Sequence, residues 1–219
     1  MKVLGIETSS EVCSVGLVEG NRAFERSLIE SRIHSEKLLT LVKEVCGKGG
    51  VDLQRLDAIA VSKGPGSFTG LRIGMSTAKG LSYALGKPII AVSTFQAIAD
   101  GVFHENPEQS TIMICVDAKQ GDFYTGHFQC GIDGARELGE VGIQSLQEIQ
   151  RSGEPLTVTD RVEDLKRVLG EGALVKPVRA YCRGDAVARR GMRMLQSGRR
   201  SDLSSLEPQY LKDFVVRSA

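Results

Sequence analysis

The sequence predicts an α/β protein of two lobes, each built from one duplicated unit of the order βββαβαβα, and three observations carry this reading. Short apolar runs such as Ala58-Ile59-Ala60-Val61 are bounded by turn residues and followed by helical periodicity, the pattern of buried parallel strands joined through helices. The first 30 residues read instead as an antiparallel meander. A shift of 110 residues then lays the segment starting at Thr111 over the N-terminus, with Val116-Asp117 on Ile6-Glu7 and Gly126 on Gly16.

Residues 2–8, 12–19 and 23–29 have strand character, with Glu19-Gly20-Asn21-Arg22 as the turn between the last two. Over 34–46 (HSEKLLTLVKEVC), Leu38, Val42 and Val45 share a helical face with Leu39, Leu41 and Cys46 beside it. Ser35 is the expected N-cap, and Gly47, Gly49 and Gly50 the expected stop. Asp52 is expected to cap a single turn before the strand at 58–61. Lys63-Gly64-Pro65-Gly66-Ser67-Phe68-Thr69-Gly70 then demands unusual backbone angles or a close approach.

From Leu71 to Leu85 helical spacing returns, and Gly70, Gly74, Ala78 and Ser82 recur every four residues. Such a stripe without bulk lets another element come very near. Gly86-Lys87-Pro88 breaks the helix ahead of a strand at 89–92 and a helix at 95–103. Asn106-Pro107-Glu108 reads as a linker, dividing a lobe at 1–105 from one at 106–199. The second lobe is expected to hold strands near 111–116, 122–129, 136–143 and 156–159, and helices near 145–151, 162–169 and 184–197. Residues 200–219 are expected to pack back on the first lobe through Pro208-Gln209-Tyr210-Leu211.

A chain of 219 residues with 41% hydrophobic and 25% charged residues can bury a sizeable core. No run approaches the roughly 18 to 20 apolar residues of a spanning helix, and Glu7 interrupts the N-terminus too early for a signal peptide, so the expected location is the cytoplasm. The five cysteines are odd in number and contain no CxxC pair, which points to reduced thiols. The net charge of +1 conceals a basic block: residues 161–200 carry 11 Lys/Arg against 4 Asp/Glu, or +7. A solvated helix face is preferred to an RNA footprint there, because stacking aromatics are nearly absent.

The glycine turn is not a Walker loop, since no GK[ST] follows, and its GxGxxxG spacing is not the dinucleotide fingerprint. With Ser67, Thr69 and Arg72 nearby it can hold an anion at a helix N-terminus. A tight strand-to-helix turn accounts for the same glycines, and spacing leaves both open. Glu7-Thr8-Ser9-Ser10 can likewise meet phosphate or a metal-bound water, or simply back-bond a turn. Together with Asp117 at the matching place, the candidates for nucleotide binding are Glu7, Thr8, Ser9, Gly64, Gly66 and Asp117. His34, His104 and His127 lie far apart, which disfavours zinc, and no GxSxG elbow supports a serine hydrolase.

GIETSSEVCSVGL, RIHSEKLL, LDAIAVSKGPGSFTGLRIGMSTAKGLSYALGKPIIAVST and ICVDAKQGDFY closely resemble the TsaB (YeaZ) family, the bacterial accessory subunits for threonylcarbamoyladenosine on tRNA. The resemblance covers about the first 125 residues and, more weakly, Pro208 to Leu211. It implies the actin-like, Hsp70-like and sugar-kinase-like (ASKHA) fold. It also implies a non-catalytic paralogue of TsaD, because the two histidines of that transferase's HxxxH pair fall on Thr94 and Ile98.

In the implied reaction TsaD moves the threonylcarbamoyl group from an adenylate donor to N6 of the adenosine 3′ of the anticodon. The implied partners are TsaD, bound through a helical bundle, the ATPase TsaE in a ternary complex, and tRNA indirectly, with a homodimer when alone. No membrane, metal or cofactor is implied, ATP or ADP at a partner interface being the exception kept open. The helices at 34–46 and 72–85 would form the bundle through His34, Leu38, Leu41, Val42, Val45, Arg72, Gly74, Met75, Ala78, Leu81 and Ser82. Two other readings compete: a nucleotide-hydrolysing or kinase-like enzyme using Glu7, Asp117 and the glycine turn, and a tRNA-binding module using Arg189, Arg190 and Arg193.

Overall fold

The structure is a computed structural model that describes residues 1–30, 33–152, 156–170 and 173–211; Arg32 and residues 212–219, which fall in segments singled out above, lie outside it. Strands β1 (Lys2–Glu7), β2 (Val12–Glu19) and β3 (Arg22–Ile29) form the meander, and β4 (Ala58–Ser62) and β5 (Ile89–Val92) join it in parallel, giving the order β3-β2-β1-β4-β5. Helices α1 (His34–Gly49), α2 (Phe68–Leu85) and α3 (Thr94–Glu105) connect and follow these strands.

The second sheet holds β6 (Thr111–Asp117), β7 (Asp122–Gln129), β8 (Arg136–Glu137), β9 (Gly142–Ser145), β10 (Leu156–Thr159) and β11 (Leu174–Pro177), with helices α4 (Leu146–Ser152), α5 (Val162–Leu169) and α6 (Gly184–Gln196). Its order β11-β10-β6-β7-β9 repeats the first sheet strand for strand, and β8 is a two-residue addition at the far end of β7. The repeat is not exact in register. Glu7 pairs with Ser14 while Asp117 pairs with Phe123, so the second hairpin is one residue shorter. With Asp117 laid on Glu7, the residue at the place of Gly16 is therefore Thr125, and Gly126 is one step further on.

The elements stack in layers. α1 and α2 cover one face of the first sheet, where Leu38, Val42, Val45 and Met75 meet Leu4, Ile6 and Leu17. α6 covers the other face, with Val187 and Met192 against Val3, Ala60 and Ile90. α3 lies between the sheets and sends Phe95, Ile98 and Val102 into a cluster with Ile112, Ile114 and Phe128. α4 and α5 close the outer face of the second sheet over Met113, Cys115 and Phe123. Although α6 falls within 106–199 in sequence, it packs on β1, β2 and β4. Backbone meets backbone there: a Cβ on Gly16 would stand 2.1 Å from Asp185 N, and one on Gly5 2.1 Å from Gly184 O.

Several local expectations need correction. Ser35 is not the cap of α1; Ile33 holds that position without a side-chain bond. α1 runs through Gly47 and Gly49 and stops only at Gly50, whose φ of 65° suits a left-handed C-cap. α2 starts at Phe68, three residues before the return of apolar spacing, because Ser67 caps it by accepting from Gly70 N at 3.3 Å. The strand expected over 136–143 is split into β8 and β9, and the short edge strand β11 lies inside the basic block. Asp52 does cap its single turn, accepting from Gln54 N at 2.8 Å. All five cysteines are buried thiols, and no helix among the described residues is long and apolar enough to cross a membrane.

Candidate functional site

The glycine turn between β4 and α2 is occupied by the chain itself. Gly64 N donates to Thr94 Oγ1 at 3.1 Å, Ser67 N to Ser9 O at 2.6 Å, and Leu71 N to Ser67 O at 2.9 Å. Lys63 O accepts from Gln209 N at 2.7 Å, which ties in the C-terminal segment. The glycines are packing sites: a Cβ on Gly64, where φ is 112°, would stand 2.6 Å from Gln209 O, and one on Gly66 2.4 Å from Ser9 O. An anion cradle needs free N–H groups, and much of this turn's supply is already spent. Of the two readings that spacing left open, the geometry favours the tight turn.

Glu7 is wholly buried behind the wall of the large cleft that Ser9 lines. Its Oε1 accepts from the Ser9 N–H at 2.6 Å and from the Ser9 hydroxyl, while Oε2 is buried with no partner among the described residues. Burial pushes this carboxyl above its ordinary range against the opposing hydrogen bonds of Ser9. Such a group is not presented to a metal or a phosphate. Thr8 is also buried, its hydroxyl donating to Gly70 O at 2.8 Å.

Ser9 and the turn form one wall of an open cleft of about 1470 Å³ whose other wall carries Asp117, Lys119, Asp160 and Arg161 from the second sheet. Burial raises Asp117, but the Lys119 hydrogen bonds and the charges of Lys119 and Arg161 outweigh it and hold the carboxyl low. Its oxygens are engaged by Lys119 N at 3.0 Å and Lys119 Nζ at 2.8 Å. Burial raises the neighbouring Asp160, which accepts from Asp117 N at 2.9 Å. The two sequence candidates Glu7 and Asp117 are thus not brought together as a paired site. No group of three His, Cys, Asp or Glu among the described residues is arranged to hold a metal ion.

Thr94 and Ile98 are both buried at the floor of that cleft. The Thr94 hydroxyl accepts from Gly64, and Ile98 is 1% exposed within the core around Phe95. Arg189 pairs with Asp185 at 3.9 Å, while Arg190 and Arg193 share Asp100, so the arginines of the competing RNA reading each have an acidic partner within the chain.

The expected partner stripe is placed differently from its sequence reading. Leu38, Leu41, Val42, Val45, Met75, Ala78 and Ser82 are buried in this chain's own core, and Gly74 is pressed onto Thr8. His34 is buried beside the cleft, and Leu81 is half-buried against the first core. Only Arg72 is exposed, its guanidinium 3.9 Å above the Phe68 ring and its Nε donating to Tyr210 Oη at 3.0 Å. The correction follows from amphipathicity: a helix lying on a sheet turns its apolar and smallest residues inward.

What α1 and α2 turn outward is a second set. Ser76, Gly80 and Ala84 recur every four residues on the open side of α2, with Tyr83 83% exposed next to them and Leu39 of α1 53% exposed. Gly80 meets nothing within 4 Å. Spacing in the sequence contains this stripe as plainly as the other, and the two differ in that the inner carries two glycines and the outer a single one.

Comparison with known proteins accords with this architecture. The sequence pattern of the family described as "TsaD: tRNA N6-adenosine threonylcarbamoyltransferase" matches residues 28–154, more than half of the chain. The tRNA threonylcarbamoyladenosine biosynthesis protein TsaB of Escherichia coli K12 is 28% identical over 99% of this chain and 96% of its own length. Its namesake in Buchnera aphidicola subsp. Acyrthosiphon pisum is 32% identical over 75% of this chain and 71% of its own. In three dimensions, YeaZ from Pseudomonas aeruginosa superposes with a TM-score of 0.83 at 24% identity, covering 96% of this chain and 99% of that one. The ROK hexokinase from Thermus thermophilus shares the ASKHA-type fold, with a TM-score of 0.51 at 13% identity over 90% of this chain and 100% of its own. With two sheets of one topology, the closed glycine turn and these relatives, the chain belongs to the TsaB (YeaZ) family.

Proposed function

We propose that this chain acts in the threonylcarbamoyladenosine modification of tRNA as a non-catalytic subunit that binds and steadies TsaD, leaving the group transfer to that partner. The observation that carries the reading is the fate of the two positions matching the transferase histidines. Thr94 spends its hydroxyl on the glycine turn, and Ile98 is core. A hydroxyl and a branched alkyl cannot supply two imidazoles to a metal. The exposed side of α1 and α2, with small residues on α2 and Tyr83 and Leu39 beside them, is the surface that suits close approach of another helix pair. The same face would serve a homodimer in the absence of TsaD, and TsaE would join the assembled complex.

The test is modification of tRNA by TsaD, TsaE and the donor-forming enzyme, with and without this chain. Dependence of product formation on the chain, with none from the chain alone, is the expected result. Modification at full rate without it would overturn the proposal. The volume of the cleft, about 1470 Å³, favours one addition, a nucleotide bound where the partner completes the wall. Calorimetry with ATP and magnesium is then expected to give binding to the complex and no turnover by the chain alone.

A further inference from the structure

The basic block noted in the sequence has a three-dimensional counterpart that the docking role does not use. Between α3, the turn joining β7 to β8, and α6 lies a pocket of about 270 Å³ walled by Arg136, Arg190, Arg193 and Arg199 together with Gln96 and Asp133. We propose that this pocket binds a dianionic phosphate group, either free phosphate or the phosphate of a small monoester.

The charge balance is the first support. Four guanidinium groups face two carboxylates, Asp133 in the wall and Asp100 beneath it, so 4 − 2 leaves +2. Asp100 is already fully engaged. Its Oδ1 accepts from Ala135 N at 2.6 Å, and its Oδ2 is shared by Arg190 NH1 at 3.4 Å and by Arg193. One carboxylate oxygen cannot satisfy two forks that each carry five donors.

The second support is what those forks lack. Arg190 is 9% exposed and uses NH1 on Ala135 O at 3.0 Å; its Nε is enclosed with no acceptor among the described residues, so a ligand in the pocket meets this fork at its terminal nitrogens. The Nε of Arg193 is in the same condition. Burial pulls Arg190 below the ordinary arginine range, and the charges of Arg193 and Arg199 add to this against the pull of Asp100. Buried donors of this kind are satisfied in most folded proteins. The planar fork of arginine matches a phosphate, whose several oxygens can serve more than one fork at once.

The third support is steric. Gly134 sits in the turn with φ of 101°, and a Cβ there would stand 2.8 Å from Arg190 NH1 and 3.1 Å from Arg193 NH2. Backbone therefore lies directly against both guanidinium groups, which Asp100 holds side by side. The volume admits a phosphate with its first attached atoms but not a folded nucleic acid, so the observations favour a small ligand over a polynucleotide.

The experiment is calorimetric titration of the full chain with inorganic phosphate, and separately with glycerol 3-phosphate, at ionic strength matched with chloride. Saturable binding of either probe, competed by sulfate, is expected; the tighter of the two identifies the source. Arg136→Gln and Arg199→Gln alter exposed groups that do not touch Asp100, so the chain keeps its fold. Each is expected to weaken binding about tenfold, as is Gln96→Glu, which brings a negative charge into the wall, while Lys37→Gln on the exposed side of α1, across the first sheet from α6, leaves it unchanged. Absence of saturable binding by both probes, equal binding by all four variants, or binding of tRNA alone would overturn the proposal.

Discussion

A Cβ on Gly74 would stand 2.1 Å from the Thr8 hydroxyl, so the middle of α2 lies directly against the end of β1. That hydroxyl is committed to Gly70 O, one turn earlier on the same helix. Adding even one methyl group must displace either the helix or the strand end. Gly74→Ala is expected to destabilise the chain by about 2 to 3 kcal/mol in urea denaturation, in the range of overpacked cores. Gly74→Leu and Ala78→Glu are expected to leave it unfolded, Ala78 being wholly enclosed. A stable, folded Gly74→Leu protein would mean that α2 is free to lift from the sheet.

The N-terminus of α2 makes a smaller, separable contribution. Ser67 caps it through Gly70 N, and Ser67→Ala is expected to cost about 1 kcal/mol, the usual worth of such a cap. The same urea midpoints check it. No loss would mean that Ser67 N on Ser9 O alone fixes the turn.

The pH dependence of stability carries the signature of Glu7. Burial raises its carboxyl, so the folded state holds a proton that the unfolded chain releases at a lower pH. Its contribution to stability therefore falls as pH rises from the ordinary glutamate range through the raised value. Glu25 and Asp160, also raised first of all by burial, act in the same sense, whereas Asp117 acts oppositely and only at acid pH. In urea titrations from pH 5 to 8, Glu7→Gln is expected to gain on the parent chain as pH rises toward the raised value and then to hold its lead. A difference that stays constant, or that narrows, would show Glu7 ionised throughout.

Much of the architecture is written locally in this chain. The meander at 2–29, the buried runs at 58–61 and 89–92 and the repeat at 110 residues lead directly to two sheets of one topology, because strand alternation and helix periodicity report burial on each segment's own axis. The orientation of α2 is a different matter. It carries two stripes of small residues, Gly70, Gly74, Ala78 and Ser82 on one side and Ser76, Gly80 and Ala84 on another. Periodicity states that both exist and cannot say which lies on Thr8 and which meets solvent.

The candidate nucleotide residues are divided for a related reason, Glu7, Thr8 and Gly64 being packed inside the chain while Ser9, Gly66 and Asp117 line the cleft. A glycine turn receptive to phosphate and one filled by its own strand ends have the same composition, and the difference lies in Ser9 and Gln209, far from the turn in sequence. The arginine pocket was equally hidden, since Arg136 and Arg190 meet only through the packing of α6 beside the β7–β8 turn.

The docking face is the remaining claim, and it rests on the outer stripe of α2. Leucine at position 80 fills the open groove while raising helix propensity, and Tyr83→Asp charges its edge; neither touches the core. The most direct measurement is retention of TsaD by tagged Gly80→Leu and Tyr83→Asp chains, read beside their urea midpoints. At least tenfold weaker retention is expected, with midpoints unchanged or, for Gly80→Leu, raised. Undiminished retention by both folded variants would contradict it.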